Sequence, residues 1–328
     1  GIFVNADLTI EAGTVIKFRQ NGSLNIGAGQ YGSLLAIGTS EKPILFTSNA
    51  VNPAAGDWST LYFGENNSSS QSSLSYCIIE YGGGDDDGML GISGSAIKMN
   101  YCTLRHSAHQ AINLDIDGEF VSCENNSISS SSGHPIVAYS TSVHTLGSTN
   151  QISAENGYGI SIVGHDLMES VTWNKQDVPY ILNEGLFIEY DQHTPELELA
   201  PGCTILFAAN QRMVVGAYSY GKLVANGTPE LPIIFGSAAG TPSAGDWSYI
   251  DFGEHTVAGT IMNHCYISYG GNDSDYGMIN VMYTSNLTIT NCTVSHSEAH
   301  GIYLEQSNPV MSANTFENIA GEDIFIAN

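Results

Sequence analysis

Cations are scarce in this chain. Among 328 residues there are 8 Lys+Arg against 33 Asp+Glu, a formal net charge of −25 at pH 7. Such a surface repels a phosphate backbone and excludes nucleic acid as a partner class. No stretch approaches the roughly 18 consecutive apolar residues of a spanning helix, so no membrane span is expected. Gly1 opens inside a strand-like pattern with no signal peptide before it. Segments of helical period rich in Ala, Leu, Glu and Lys are missing, so helix should be rare. The six cysteines form no Cys-x-x-Cys pair, which removes the usual zinc signature.

What is there is glycine, 36 of them, with abundant Asn, Ser and Thr around short apolar runs, the composition of many short strands joined by tight turns. The strongest signal is a repetition. Leu8 to Glu65 is written again at Leu197 to Glu254 at a constant offset of about 189 residues, without a gap, and 28 of the 58 pairs are identical. The chain is therefore read as a repeat architecture. One copy occupies 1–184 and a second, truncated copy occupies 185–328. Asn328 falls opposite Tyr139, whereas the first copy runs on to Glu184. Residues 141–180, the least regular part, read as a join between units, and the whole of 1–328 as one continuous coil.

A shorter beat runs inside each copy. Ile279, Ile302 and Ile324 head short strands spaced by about one coil, as do Leu90, Ile112, Ile136 and Ile160. A period of this size, holding two or three strands, is what a parallel β-solenoid needs, each coil laying its strands about 4.8 Å from those of the last. Alternation places Ile112 and Leu114 inward with Asn113 outward. It likewise makes Leu287, Ile289 and Val294 core residues on either side of a bend at Asn291. Cys77, Cys102 and Cys123, and again Cys265 and Cys292, recur at rung spacing. Like Cys203, they are expected as free thiols in the core, since in-register neighbours seldom offer disulfide geometry.

The strings Leu8 to Phe18, Gly38-Thr39, Pro43 to Ser48, Gly56-Asp57-Trp58, Phe63-Gly64 and Ser75 to Gly83 resemble the right-handed parallel β-helix repeat proteins of bacterial surfaces and secretions. So do the Cys-x-[Ile/Leu/Val] steps at Cys77, Cys102, Cys265 and Cys292. The resemblance implies an all-β, single-stranded right-handed parallel β-helix that is secreted or displayed at a cell surface. It implies little about activity, because one coil serves lyases, glycosidases, epimerases, adhesins and passive stalks. The Asn-Thr-Asp and Arg-Ile-Lys strings of polygalacturonase-like members are absent. With only Arg19, Arg105 and Arg212 in the chain, the arginine-rich cleft of pectate-lyase-like members has little material.

Three groups of residues carry candidate chemistry. The acidic loop Asp85, Asp86 and Asp87, returning as Asp273 and Asp275, offers carboxylates to Ca²⁺ if they converge; otherwise it is a solvated turn. Lys98, Arg105, His106 and His109 could supply the base and cation of β-elimination from a uronic acid; otherwise the histidines stand at a coil corner. Trp58 with Tyr62, and Trp247 with Tyr249, invite a sugar-stacking platform; otherwise the indoles cap the corner of a rung. The leading expectation is a monomeric, non-catalytic module that contacts a polysaccharide or cell-surface glycan as an adhesive scaffold, with no required cofactor. A polysaccharide lyase and a passive stalk are the alternatives.

Overall fold

The computed structural model describes residues 1–69, 71–129, 132–154, 157–164 and 166–327. Asn328, where the second copy stops, lies outside them. The described residues form two compact units, Gly1–Ser161 with Gln176–Val178, and Ile162–Lys175 with Pro179–Asn328. Apart from one short 3-10 turn at Val143–Thr145, the regular elements are all strands, and no helix is long and apolar enough to cross a membrane.

Each unit is a parallel β-solenoid with three sheet faces. In the first unit the chain passes in turn through a first face (Ile2–Val4), a second (Asp7–Ile10) and a third (Val15–Phe18), then begins the next coil at Leu24–Ile26. Leu61–Phe63, Leu90–Ile92, Ile112–Leu114 and Ile136–Tyr139 continue the first face, each pairing in parallel with the strand one coil away. In the second unit Leu186–Ile188, Glu196–Leu199 and Thr204–Phe207 open the same cycle. Its first face continues through Met213–Val215, Ile250–Phe252, Gly277–Met282, His300–Glu305 and Ile324–Ala327.

The predicted beat is the pairing register. Ile279 lies on Ile302 and Ile302 on Ile324, as Leu90 lies on Ile112 and Ile112 on Ile136. Like residues therefore stack in columns down the interior, where Ile112, Leu114, Ile279, Ile289 and Val294 are fully buried. Each such aliphatic side chain contributes roughly 1.5–3 kcal/mol of transfer free energy, which offsets the entropy of ordering a coil otherwise made mostly of turns.

All six cysteines are free and buried. The thiols of Cys102, Cys265 and Cys292 each donate to the carbonyl two residues back, at 3.2 to 3.5 Å. Cys77 and Cys265 also reach Ala36 and Ala225 one coil earlier, both at 3.4 Å. A neighbouring thiol and burial hold Cys77 and Cys265 well above the ordinary thiol range, burial alone pushes Cys203 up to about 12, and these groups stay protonated.

The bends between faces use left-handed backbone. Tyr76, Tyr81, Tyr101, His106, Tyr269, Asn291 and His296 all have φ between 48° and 68°. An L-residue there is strained unless something compensates. Ring stacking between coils supplies part of the compensation: Tyr76 lies on Tyr101 at 4.9 Å, Tyr81 on His106 at 5.0 Å and Tyr269 on His296 at 4.8 Å. Elsewhere amides form the ladder, as where Asn291 donates to Asn263 and Asn126 to Asn150, both at 2.9 Å.

Candidate functional site

The two tryptophans are wholly buried, which corrects the sugar-platform expectation. Trp58 stacks on Phe18 at 4.2 Å and 12°, and its Nε1 donates to the Glu80 carbonyl at 2.9 Å. Trp247 repeats the arrangement with Phe207 at 4.3 Å and 11°, and with the Ser268 carbonyl at 2.8 Å. A Cβ on Gly82 or Gly270 would come within 2.7 or 2.6 Å of the indole, so the glycine one coil on leaves room for the ring. With both faces covered, neither indole can stack on a pyranose, and each instead closes the corner between third and first faces. Tyr62 follows its corner on the first face and Tyr249 immediately precedes the first-face strand Ile250–Phe252; both are half-buried.

The histidine set does not assemble either. Lys98 lies in the second-face strand Ala96–Asn100, whereas Arg105 ends the third-face strand Thr103–Arg105. Arg105 is committed to Glu80, with Nε at 2.8 Å and a terminal nitrogen at 2.7 Å from the same carboxylate oxygen. The other Glu80 oxygen accepts from Thr47 at 3.0 Å. A guanidinium neutralised in this way is poorly placed to neutralise a substrate carboxylate. His106 is the corner residue stacked on Tyr81, and His109 is exposed in the following turn.

Asp85, Asp86 and Asp87 share a turn but not a centre. Among the described residues no group of three His, Cys, Asp or Glu side chains could hold a metal ion, and the same holds for Asp273 and Asp275. Asp87 is pushed above the usual carboxylate range by partial desolvation and by the nearby Asp85, Asp115 and Asp86. Crowded carboxylates raise one another in this way.

Two other places combine accessible or unpartnered polar groups. In the first unit Arg19, Gln20, Ser48, Asn49, Ala50 and Asp57 line an open cleft of about 450 Å³. Its floor is rigid: Ser48 Oγ donates to Asp57 Oδ2 at 2.5 Å, the Ala54 amide donates to the same oxygen at 3.0 Å, and the Ala50 amide donates to Ser48 Oγ at 3.0 Å. Arg19 and Asn49 are exposed above this floor, and among the described residues no carboxylate or ring is paired with the Arg19 guanidinium.

In the second unit the notable residue is Asp251, between the core residues Ile250 and Phe252. It points away from the core, yet it is only 7% exposed and its Oδ1 is buried with no hydrogen-bond partner among the described residues. Burial first, then Glu189, raise its pKa to about 7, against the opposing effect of Arg212. Tyr249, two residues back, is raised mainly by desolvation and feels Arg212, Asp251, Asp273 and Tyr218. Sequence reasoning named Tyr249 and Asp273 here but missed Arg19, Asn49, Arg212 and Asp251.

The fold and these surfaces can be set beside known families. Residues 244–328 match the model for a right handed beta helix region, and residues 2–114 match that for a pectate-lyase like beta helix domain. Comparison with curated proteins and with solved structures gave no match. The matched stretches include Leu8 to Glu65 and part of its second copy, the strings from which the coil was read.

Proposed function

Because the chain is a parallel β-helix repeat protein, with a polar cleft in place of the anticipated tryptophan platforms, we propose that it is a non-catalytic, glycan-contacting scaffold of adhesive type, secreted or carried at a cell surface. One observation carries this reading. The cleft presents an uncommitted guanidinium at Arg19, the amides of Asn49 and Gln20, and a carboxylate braced by the backbone at Asp57. Donors of this kind around one fixed acceptor match the alternating hydroxyls of a sugar, and about 450 Å³ admits one or two rings. The net charge of −25 supports a solvated extracellular setting. A lyase reading finds no comparable set, since Arg105 is occupied by Glu80.

The test is a glycan array probed with the wild type, Arg19→Ala and Asn49→Ala. Binding to at least one glycan should weaken about tenfold in each variant, the worth of a lost charged or neutral hydrogen bond. Array hits that neither variant changes would move the contact away from this cleft, and the absence of any hit would remove the glycan reading.

A further inference from the structure

The cleft leaves Asp251 unexplained. A carboxylic acid buried to 7% exposure with an unpartnered oxygen is costly, and a native protein rarely keeps such a group without a partner such as an ordered water or a ligand; Oδ1 is closed to the surface, so a ligand would meet the other carboxyl oxygen. The setting is built rather than accidental. Ile250 and Phe252 anchor the strand in the core, and Val214 and Asn280 flank Asp251 in register on the adjacent coils. Asn280 is itself fixed by accepting from the Gly277 amide at 2.8 Å. Glu189 accepts from the Ala217 and Tyr218 amides at 2.8 and 2.9 Å, which holds that turn in place and leaves Tyr218 80% exposed.

We propose that this outward surface of the second unit is a ligand site for an uncharged, hydroxyl-bearing ring, with the neutral Asp251 carboxyl donating a hydrogen bond to a ligand oxygen. The ligand class rests on the glycan reading above; the place and the proton do not. The charged and titratable groups around the site are Glu189, Arg212, Tyr249, Tyr218 and Asp273. Two carboxylates, Glu189 and Asp273, against one guanidinium disfavour an anionic ligand. No carboxylate trio converges for a metal among the described residues. Tyr218 supplies an exposed ring for stacking near Tyr249, and Arg212, lying 5.5 Å from the Phe187 ring centroid, keeps its remaining donors for ligand hydroxyls.

The sign of the pH dependence follows. Below the raised pKa the acid is neutral and donates; above it the buried carboxylate has no proton to give and repels electron-rich oxygens. The experiment uses neutral and acidic oligosaccharide arrays at about pH 5.5 and about pH 8.5, with the Arg19→Ala, Asn49→Ala double variant as the parent, in which two losses of about tenfold together silence the first-unit cleft. Residual binding of neutral glycans should fall about tenfold at the higher pH. Asp251→Asn, which keeps a donor at every pH, should bind equally at both pH values and near the low-pH strength. Asp251→Leu should fold, shown by its melting curve, and bind nothing. Residual binding that ignores pH, tightens as pH rises, prefers acidic glycans, or survives in Asp251→Leu would overturn the proposal. Binding abolished in the double-variant parent at both pH values would remove this site alone, whereas a wild type silent on the whole array would remove the glycan reading with it.

Discussion

Set against each other, the two units share their supports and differ in what they present. The corner is identical in kind: Trp58 and Trp247 cover Phe18 and Phe207, and Ser48 with Asp57 is matched by Ser237 with Asp246 at 2.6 Å. Around that corner the chemistry has parted. Arg19, Gln20 and Asn49 stand opposite Ala208, Ala209 and Ala238, while Ser23 and Tyr62 stand opposite Arg212 and Asp251. Glu80 and Arg105 become Ser268 and Ser295. Duplication kept what holds a coil shut and released the outward positions, so ligand chemistry is sought where the copies disagree.

The comparison can be broken most severely at the shared corner. Trp58→Ala and Trp247→Ala should each cost about 3–5 kcal/mol, the usual cost of emptying a large aromatic site, with both units yielding similar losses in urea unfolding. A large loss in one and none in the other would show that the corners are not equivalent.

Asp251 provides the next test. Its folded-state pKa of about 7 lies above the unfolded value near 3.8, so the folded chain binds more protons between those limits and stability falls as pH rises through that window. Asp251→Asn should therefore stabilise the protein by up to about 4 kcal/mol above pH 7, with the gain shrinking to nothing near pH 4. Thermal melts across pH would check this, and a gain independent of pH would contradict it.

The Glu80 and Arg105 pair sharpens the contrast further. Arg105→Ser alone leaves a nearly buried Glu80 without its cation and should cost about 1–2 kcal/mol, discounted because the arginine is half exposed. Adding Glu80→Ser, the arrangement of the second unit, should recover much of that loss. A double-mutant cycle by denaturant unfolding gives the coupling.

The smallest effects concern ligands. Grafting Arg and Asn at Ala208 and Ala238 should give the second unit a weak version of the first-unit cleft, read as additional array binding in the Arg19→Ala background. Calcium should leave the melting temperature unchanged, because the loops at Asp85 and Asp273 assemble no ligand set among the described residues; a rise with Ca²⁺ would refute that.

Much of the fold was legible because a β-helix repeats its own evidence. Alternation in Ile112-Asn113-Leu114 gives the inward face, and recurrence of Leu90 and Ile136 gives the pairing. The sites were less legible, since burial of an outward residue depends on turns from other coils. Gly-Asp-Trp looks like an exposed platform until Gly82 and Gly270, one coil later, are recognised as the space for the rings. Asp251, between Ile250 and Phe252, reads as an ordinary solvated position. The available signal was its mismatch with Tyr62, which the aligned copies display.

The buried sulfhydryls have a practical consequence. Cys77 and Cys102 at the third face and Cys123 on the second face lie on successive rungs, all free and closed to solvent, so an alkylating reagent cannot mark them until the rung around each one opens. The order in which they become labelled during gentle unwinding would therefore chart the path of fraying through the first unit, a built-in clock requiring no engineered cysteine.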